Sequence, residues 1–213
     1  MLDFWFDFAS SYSYVGAQRV EALCAAAAVG MRWRPFLLGP IFTAQQGIKD
    51  SPFNTQPVRG RYMWRDLERL CAKYALPFVR PEVFPQRSLL AARVACVGLE
   101  KPWCGDFVRA TFRATFEHGK DISTHATLGD VLSSLGVDPA TIFPEAEGEP
   151  VKRQLRAFTD EAIALGIFGA PNAVIEKELF FGQDRLEDAV AWARNHSFPS
   201  PLGEGEASGQ LSR

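Results

Sequence analysis

LDFWFDFASSYSYVGAQRVEALCAAAAVGMRWRPF, residues 2–36, is the stretch on which the fold turns. Residues 2–8 alternate imperfectly but are rich in Phe and Trp, the composition of a short core strand. Ser10, Ser11 and Ser13 follow as candidate helix caps, and the Ala-rich run over residues 14–29 has strong helix propensity until Gly30 stops it. Residues 31–36 read as a second strand. A strand, a helix and a strand at this spacing form a compact unit whose two strands run parallel.

Outward from this unit, residues 38–58 carry Gly39, Pro40, Gly47, Pro52 and Pro57. They predict a long irregular connection, either shaping a site or simply crossing the surface. Helical spacing then dominates. Met63, Leu67, Leu70 and Tyr74 share one stripe over residues 61–75, and Leu89, Leu90, Val94 and Val97 mark a second helix after Pro85. Trp103, Phe107, Ala110 and Ala114 support a third, residues 127–135 a short fourth, and Val151, Leu155, Phe158 and Ala162 a fifth before Gly166.

After Gly169 and Pro171, residues 173–175 and 178–181 read as short strands joined by a charged turn, and Asp184 is placed to cap a final helix. The order is βαβ, helical insertion, ββα. It closes one four-stranded α/β sheet if the late strands return beside the early ones. The expected organisation is an α/β unit from residues 1–38 and 166–196, an irregular loop and helical insertion over 39–165, and a flexible tail over 197–213, where apolar periodicity disappears.

The chain has 213 residues, 47% of them hydrophobic, and a formal net charge of -2. That is enough to bury a core, and it excludes a disordered, fibrous or small disulfide-stapled chain. The balanced charge lacks the basic field of nonspecific nucleic-acid binding, and the Arg and aromatic residues at 59–64 do not outweigh it. Residues 1–14 have no basic leader, and no later segment reaches the roughly 18 apolar residues of a membrane span, so a soluble cytoplasmic protein is expected. Cys24, Cys71, Cys96 and Cys104 form no C-x-x-C pair, and His118, His125 and His196 lack metal spacing. Buried thiols, ordinary polar histidines and no metal follow.

Two segments stand out for chemistry. In FDFASSYSY, residues 6–14, Ser10 and Ser13 have the spacing of a C-x-x-C pair but carry hydroxyls, which cannot exchange disulfides. Their place at a helix start suits either plain capping or anion binding. In GIFGAPN, residues 166–172, a cis Ala170–Pro171 bond would stop strand pairing at Pro171 and free the Ala170 backbone for an extended ligand; a simple strand entry uses the same residues. Trp64, Trp103 and Phe107 can line an apolar pocket or pack helices.

FDFASSYSY, NTQPVRGRYMWRDLERLCAKY (54–74), FPQRSLLAARVA (84–95) and GIFGAPNAVIEKELFFGQDRLED (166–188) occur in the order seen in 2-hydroxychromene-2-carboxylate isomerases. The chain resembles that family, which is similar to kappa-class glutathione transferases and to thioredoxin-fold disulfide oxidoreductases with a helical insertion. The resemblance implies a thioredoxin-like four-stranded sheet, a homodimer, and glutathione as cofactor with its sulfur near Ser10. It implies isomerisation of 2-hydroxychromene-2-carboxylate to trans-o-hydroxybenzylidenepyruvate in aromatic-acid catabolism, or else conjugation of electrophiles by a kappa-like transferase. A nonenzymatic peptide-binding protein is the third class.

By the same resemblance, Gly169, Ala170, Pro171, Phe181, Gly182, Gln183 and Asp184 bind glutathione, while Asn54, Arg59 and Arg61 bind the small aromatic 2-oxo or 2-hydroxy carboxylate substrate. Three positions depart from the family pattern. Ser11 replaces proline, Arg59 replaces a usual lysine, and Arg87 stands where asparagine is expected. Arg59 keeps the charge but exchanges a compact donor for a planar fork.

Overall fold

The computed structural model describes residues 1–47 and 50–196; the expected tail over 197–213 lies outside them. The chain begins β1 (Leu2–Phe6), α1 (Ser11–Ala17), α2 (Val20–Ala26) and β2 (Met31–Pro35). β1 and β2 run parallel, with Leu2 opposite Met31 and Phe6 opposite Pro35. Far along the chain, β3 (Asn172–Ile175) pairs antiparallel with β1, and β4 (Glu178–Phe181) antiparallel with β3. The order β2-β1-β3-β4 therefore closes one mixed four-stranded sheet, with the late strands returned beside the early ones as the sequence pattern allows. This is the thioredoxin-like arrangement with extensive helical insertions.

The imperfect alternation of β1 has a physical cause: helices cover both faces of the sheet, so successive side chains are all buried. Phe4 and Phe6 join the larger core with Phe8 and Phe112, whereas Trp5 points to the opposite core among Phe36, Ala162 and Val174. Asp3 is the polar exception. Its carboxylate accepts from Arg32 at 2.6 and 2.8 Å on the neighbouring strand.

Between the sheet halves lie α3 (Leu38–Gln46), α4 (Pro52–Thr55), α5 (Pro57–Lys73), α6 (Leu89–Gly98), α7 (Cys104–Phe116), α8 (His125–Ser134), α9 (Pro139–Ala146) and α10 (Glu149–Ala164); α11 (Leu186–His196) follows the sheet. The irregular connection expected over residues 38–58 is thus corrected to two helices and the start of a third. Gly39 and Pro40 do not prevent this, because they occupy the first turn, where backbone N–H groups have no intrahelical acceptor. Gly47 ends α3 with φ +63. The long first helix expected before Gly30 is instead two short ones, and Ala28 already takes a positive φ of 55°. α10, the fifth helix of the sequence reading, lays Phe158 edge-on to Trp5 at 6.3 Å. It covers a face of the sheet as well as touching the insertion.

These cores differ from the surface in what they contribute. Trp5→Ala is expected to cost about 3–5 kcal/mol by leaving a cavity, whereas Arg32→Ala, whose side chain is mostly exposed, costs under about 1 kcal/mol. Urea unfolding of both variants measures this; equal losses would contradict the two-faced burial of β1.

Candidate functional site

The turn that leaves β1 forms the floor of a cleft of about 920 Å³. Ser10 lies there, 6% exposed, as the N-cap of α1. Its Oγ accepts from the Ser13 N–H at 3.2 Å and donates to the Ala170 carbonyl at 3.0 Å. A hydroxyl has one proton to give and two lone pairs to accept with, so capping leaves its donor available for another use. The two segments singled out in the sequence therefore meet through one hydrogen bond.

The turn opposite is held from several sides. The Ala170–Pro171 bond is cis, as is Phe84–Pro85 on another wall. Asn172 Nδ2 donates to the Gly169 carbonyl at 2.7 Å, and the Gly182 N–H donates to the Pro171 carbonyl at 2.9 Å. A Cβ on Gly169 would sit 2.7 Å from the Phe181 ring, so only glycine lets that ring lie over the turn. Phe181 and Phe168, both substantially exposed, meet at 4.5 Å and make an aromatic lip.

Asp7 is a site residue absent from the sequence expectations. It lines the same cleft and is only 3% exposed. Its Oδ1 accepts from the Ala9 N–H at 2.9 Å, its Oδ2 from the first N–H of α3, that of Leu38, at 2.7 Å, and the Ser88 hydroxyl also bonds to it. One carboxylate thereby ties the Ser10 turn, α3 and the segment before α6. Burial pushes its pKa up and these three donors pull it down; burial prevails, and the pKa lies above 3.8. The available signal was a lone acid inside the apolar run FWFDF.

Other expected residues divide. Arg59, like Arg87, lines the cleft, and it donates to Gln56 Oε1 at 3.1 Å. Asn54 is turned to structure, donating to the Phe84 carbonyl at 3.0 Å and to Asp50. Arg61 is exposed on α5, away from the cleft lining. Gly182, Gln183 and Asp184 lie beyond the lip. The Gln183 side chain is occupied by Arg19, which donates to its Oε1 at 2.9 Å. Asp184 does not cap the final helix as expected: Gly182 precedes a single 3-10 turn, Gln183–Arg185, and Asp184 sits inside it. Trp64 packs on Phe84, a residue of the cleft wall, and Trp103 on Phe107; neither tryptophan lines the cleft itself.

No thiol replaces the Ser10 and Ser13 hydroxyls. All four cysteines are buried and free; burial pushes Cys24 and Cys71 up to about 11 and Cys96 and Cys104 up to about 12. Such groups are inert as nucleophiles near neutral pH. Among the described residues no three His, Cys, Asp or Glu side chains gather as metal ligands, and no helix is long and apolar enough to cross a membrane.

Residues 1–191 match the family model of the DSBA-like thioredoxin domain. The chain is 28% identical to glutathione S-transferase kappa 2 of Caenorhabditis elegans over 96% of each chain. It is 25% identical to 2-hydroxychromene-2-carboxylate isomerase of Sphingobium xenophagum, over 87% of this chain and 94% of the relative. A solved structure of 2-hydroxychromene-2-carboxylate isomerase superposes with a TM-score of 0.82 at 24% identity, over 92% of this chain and 97% of that one; at that identity the superposition speaks for the fold.

The raised pKa of Asp7 has a definite sign in stability. The native state holds this proton more tightly than the unfolded chain, so stability rises as pH falls from neutral through the raised value. The gain ends once the unfolded carboxyl, near 3.8, is protonated too. Asp7→Asn lacks this titration. The stability difference between the two proteins, followed by urea unfolding across that window, should shift toward wild type on acidification; a difference independent of pH would contradict the assignment.

Proposed function

Because this chain belongs to the DSBA-like thioredoxin domain family and is related to 2-hydroxychromene-2-carboxylate isomerases and kappa-class glutathione transferases, we propose that it is a glutathione-dependent isomerase. Its substrate in this reading is 2-hydroxychromene-2-carboxylate and its product trans-o-hydroxybenzylidenepyruvate. The observation that carries the reading is the Ser10 hydroxyl bonded to the Ala170 carbonyl on the floor of a cleft able to hold a tripeptide and a small aromatic acid.

The lining suits glutathione chemically. Arg59 and Arg87 present positive charge for its two carboxylates, and Asp50 on the same cleft presents an acid for its ammonium. The segment Phe181–Gly182–Gln183–Asp184 offers a further acid, Asp184, to the γ-glutamyl end. When bound, glutathione would supply a sulfur nucleophile whose addition turns the double bond of the ring-opened substrate into a rotatable single bond and whose departure restores it, with no net redox change.

Ser10 has a defined task in this chemistry. Its proton turns from the Ala170 carbonyl to the sulfur, which leaves that carbonyl free to accept from the backbone of the tripeptide. A charge-assisted hydrogen bond of about 1.5–3 kcal/mol lowers a thiol pKa by about one to two units, from about 8.5 toward neutrality. Ser10 acts as donor rather than nucleophile, since a serine alkoxide is far less accessible than a thiolate. Asp7 keeps the Ser10 turn in place through the Ala9 N–H. In this reading Arg59 serves glutathione and not, as the family likeness implies, the substrate; Asn54 supports the loop beneath it, and Arg61 contributes only long-range charge. A cytoplasmic homodimer is part of the same reading and rests on the family likeness.

A kappa-like transferase is the second reading, favoured by the relative aligned over 96% of both chains. The two differ in the fate of the sulfur. Incubation with glutathione and 2-hydroxychromene-2-carboxylate should give trans-o-hydroxybenzylidenepyruvate with free glutathione conserved; consumption of glutathione into a conjugate, with no isomer formed, would select the transferase. Ser10→Ala should keep the fold at a cost of about 1 kcal/mol for the lost cap. It should also raise the bound thiol pKa by about one to two units. Ultraviolet titration of the thiolate reads this, and an unchanged pKa with unchanged turnover would remove Ser10 from the chemistry.

A further inference from the structure

The charged residues of α10 fall on one stripe. Glu149, Arg153, Arg156 and Asp160 follow one another at three- or four-residue steps, with Lys152 beside them three residues after Glu149, while Val151 and Leu155 are buried. Such a stripe is ordinarily a solvated helix face. Here it faces a recess of about 680 Å³ whose opposite wall is formed by Leu37, Pro40, Leu89 and Arg93. Leu37, Pro40 and Leu89 also line the Ser10 cleft, so the two spaces adjoin.

The charges in the recess do not balance. Lys152 is paired with Glu149 at 2.8 Å, and Asp160 is the only other carboxylate on the lining. Arg93, Arg153 and Arg156 have no ion pair or hydrogen bond among the described residues, although, after Lys152, Arg153 and Arg93 also lie close enough to lower the Glu149 pKa, and Arg93 Nε is buried without an acceptor. A sequestered N–H without a partner costs free energy, and converging guanidinium groups repel. An anion entering the recess offsets both costs. The planar fork of arginine fits a carboxylate best. In the Ser10 cleft, Arg59 and Arg87 match the two carboxylates of glutathione, which leaves the acid of the substrate without a partner of its own.

We propose that this recess is the carboxylate subsite for the aromatic acid, with half-buried Arg93 on its inner wall, exposed Arg153 and Arg156 at its mouth, and the aromatic body lying across Leu37 and Leu89 into the Ser10 cleft. The proposal rests on the reading of that cleft as the site of an aromatic acid.

Calorimetric titration of the glutathione-saturated protein with trans-benzylidenepyruvate and with its methyl ester tests it without requiring turnover. The wild type should bind the acid about tenfold or more tightly than the ester. Arg93→Gln should reduce that preference to within about twofold, with affinity for glutathione unchanged. The double variant Arg153→Gln/Arg156→Gln, on an exposed helix face, should lower it too and gives a reading even if Arg93→Gln does not fold. No acid preference in the wild type, preference retained in the folded variants, or loss of glutathione affinity in its place would each overturn the subsite. Acid preference without isomerisation would count against the reaction alone; isomerisation without acid preference would count against the subsite alone.

Discussion

A single hydrogen bond, Ser10 Oγ to the Ala170 carbonyl, joins parts of the chain 160 residues apart. It exists because β3 returns antiparallel beside β1, with Asn172 opposite Trp5, so that the turn entering β3 arrives next to the turn leaving β1. The whole insertion is closed within that return. A strand buried on both faces cannot slip by one residue without exchanging Trp5 for Phe4 or Phe6 between two different cores, and register is held accordingly. The geometry at Ser10 is thus a consequence of packing far from it.

Asp7 extends this constraint from the sheet to the loops. A carboxylate buried beside Ser10 is costly, and the protein keeps it by giving it donors from three walls of the cleft. The consequence is coupling: the Ser10 turn, the start of α3 and the segment before α6 share one acceptor. The two aromatic rings of the lip, Phe168 and Phe181, complete the enclosure, and Gly169 is what permits the Phe181 ring to lie against the turn.

Much of this was legible in the sequence where local chemistry decides. The four strands, the helix-rich insertion and the pairing of the Ser10 turn with the Ala170 turn all follow from periodicity, turn residues and family likeness. The failures also have physical causes. α3 was hidden because Gly39 and Pro40 look like breakers, although in a first turn they break nothing. Gln183 looked free to bind a ligand; its partner Arg19 is 164 residues away in sequence and near only after folding. Arg93, whose Nε is buried without an acceptor among the described residues, belongs to the same class, since a charged residue on one helix has no meaning as a site until a second helix is placed against it.

The central claim is that the Ser10 hydroxyl serves the sulfur of a separate tripeptide. A crystal structure of the glutathione complex tests it most directly. The account predicts the sulfur within hydrogen-bond reach of Ser10 Oγ and the Ala170 carbonyl accepting from the tripeptide backbone. Glutathione bound elsewhere, or Ser10 still bonded to Ala170 with the sulfur out of reach, would contradict it.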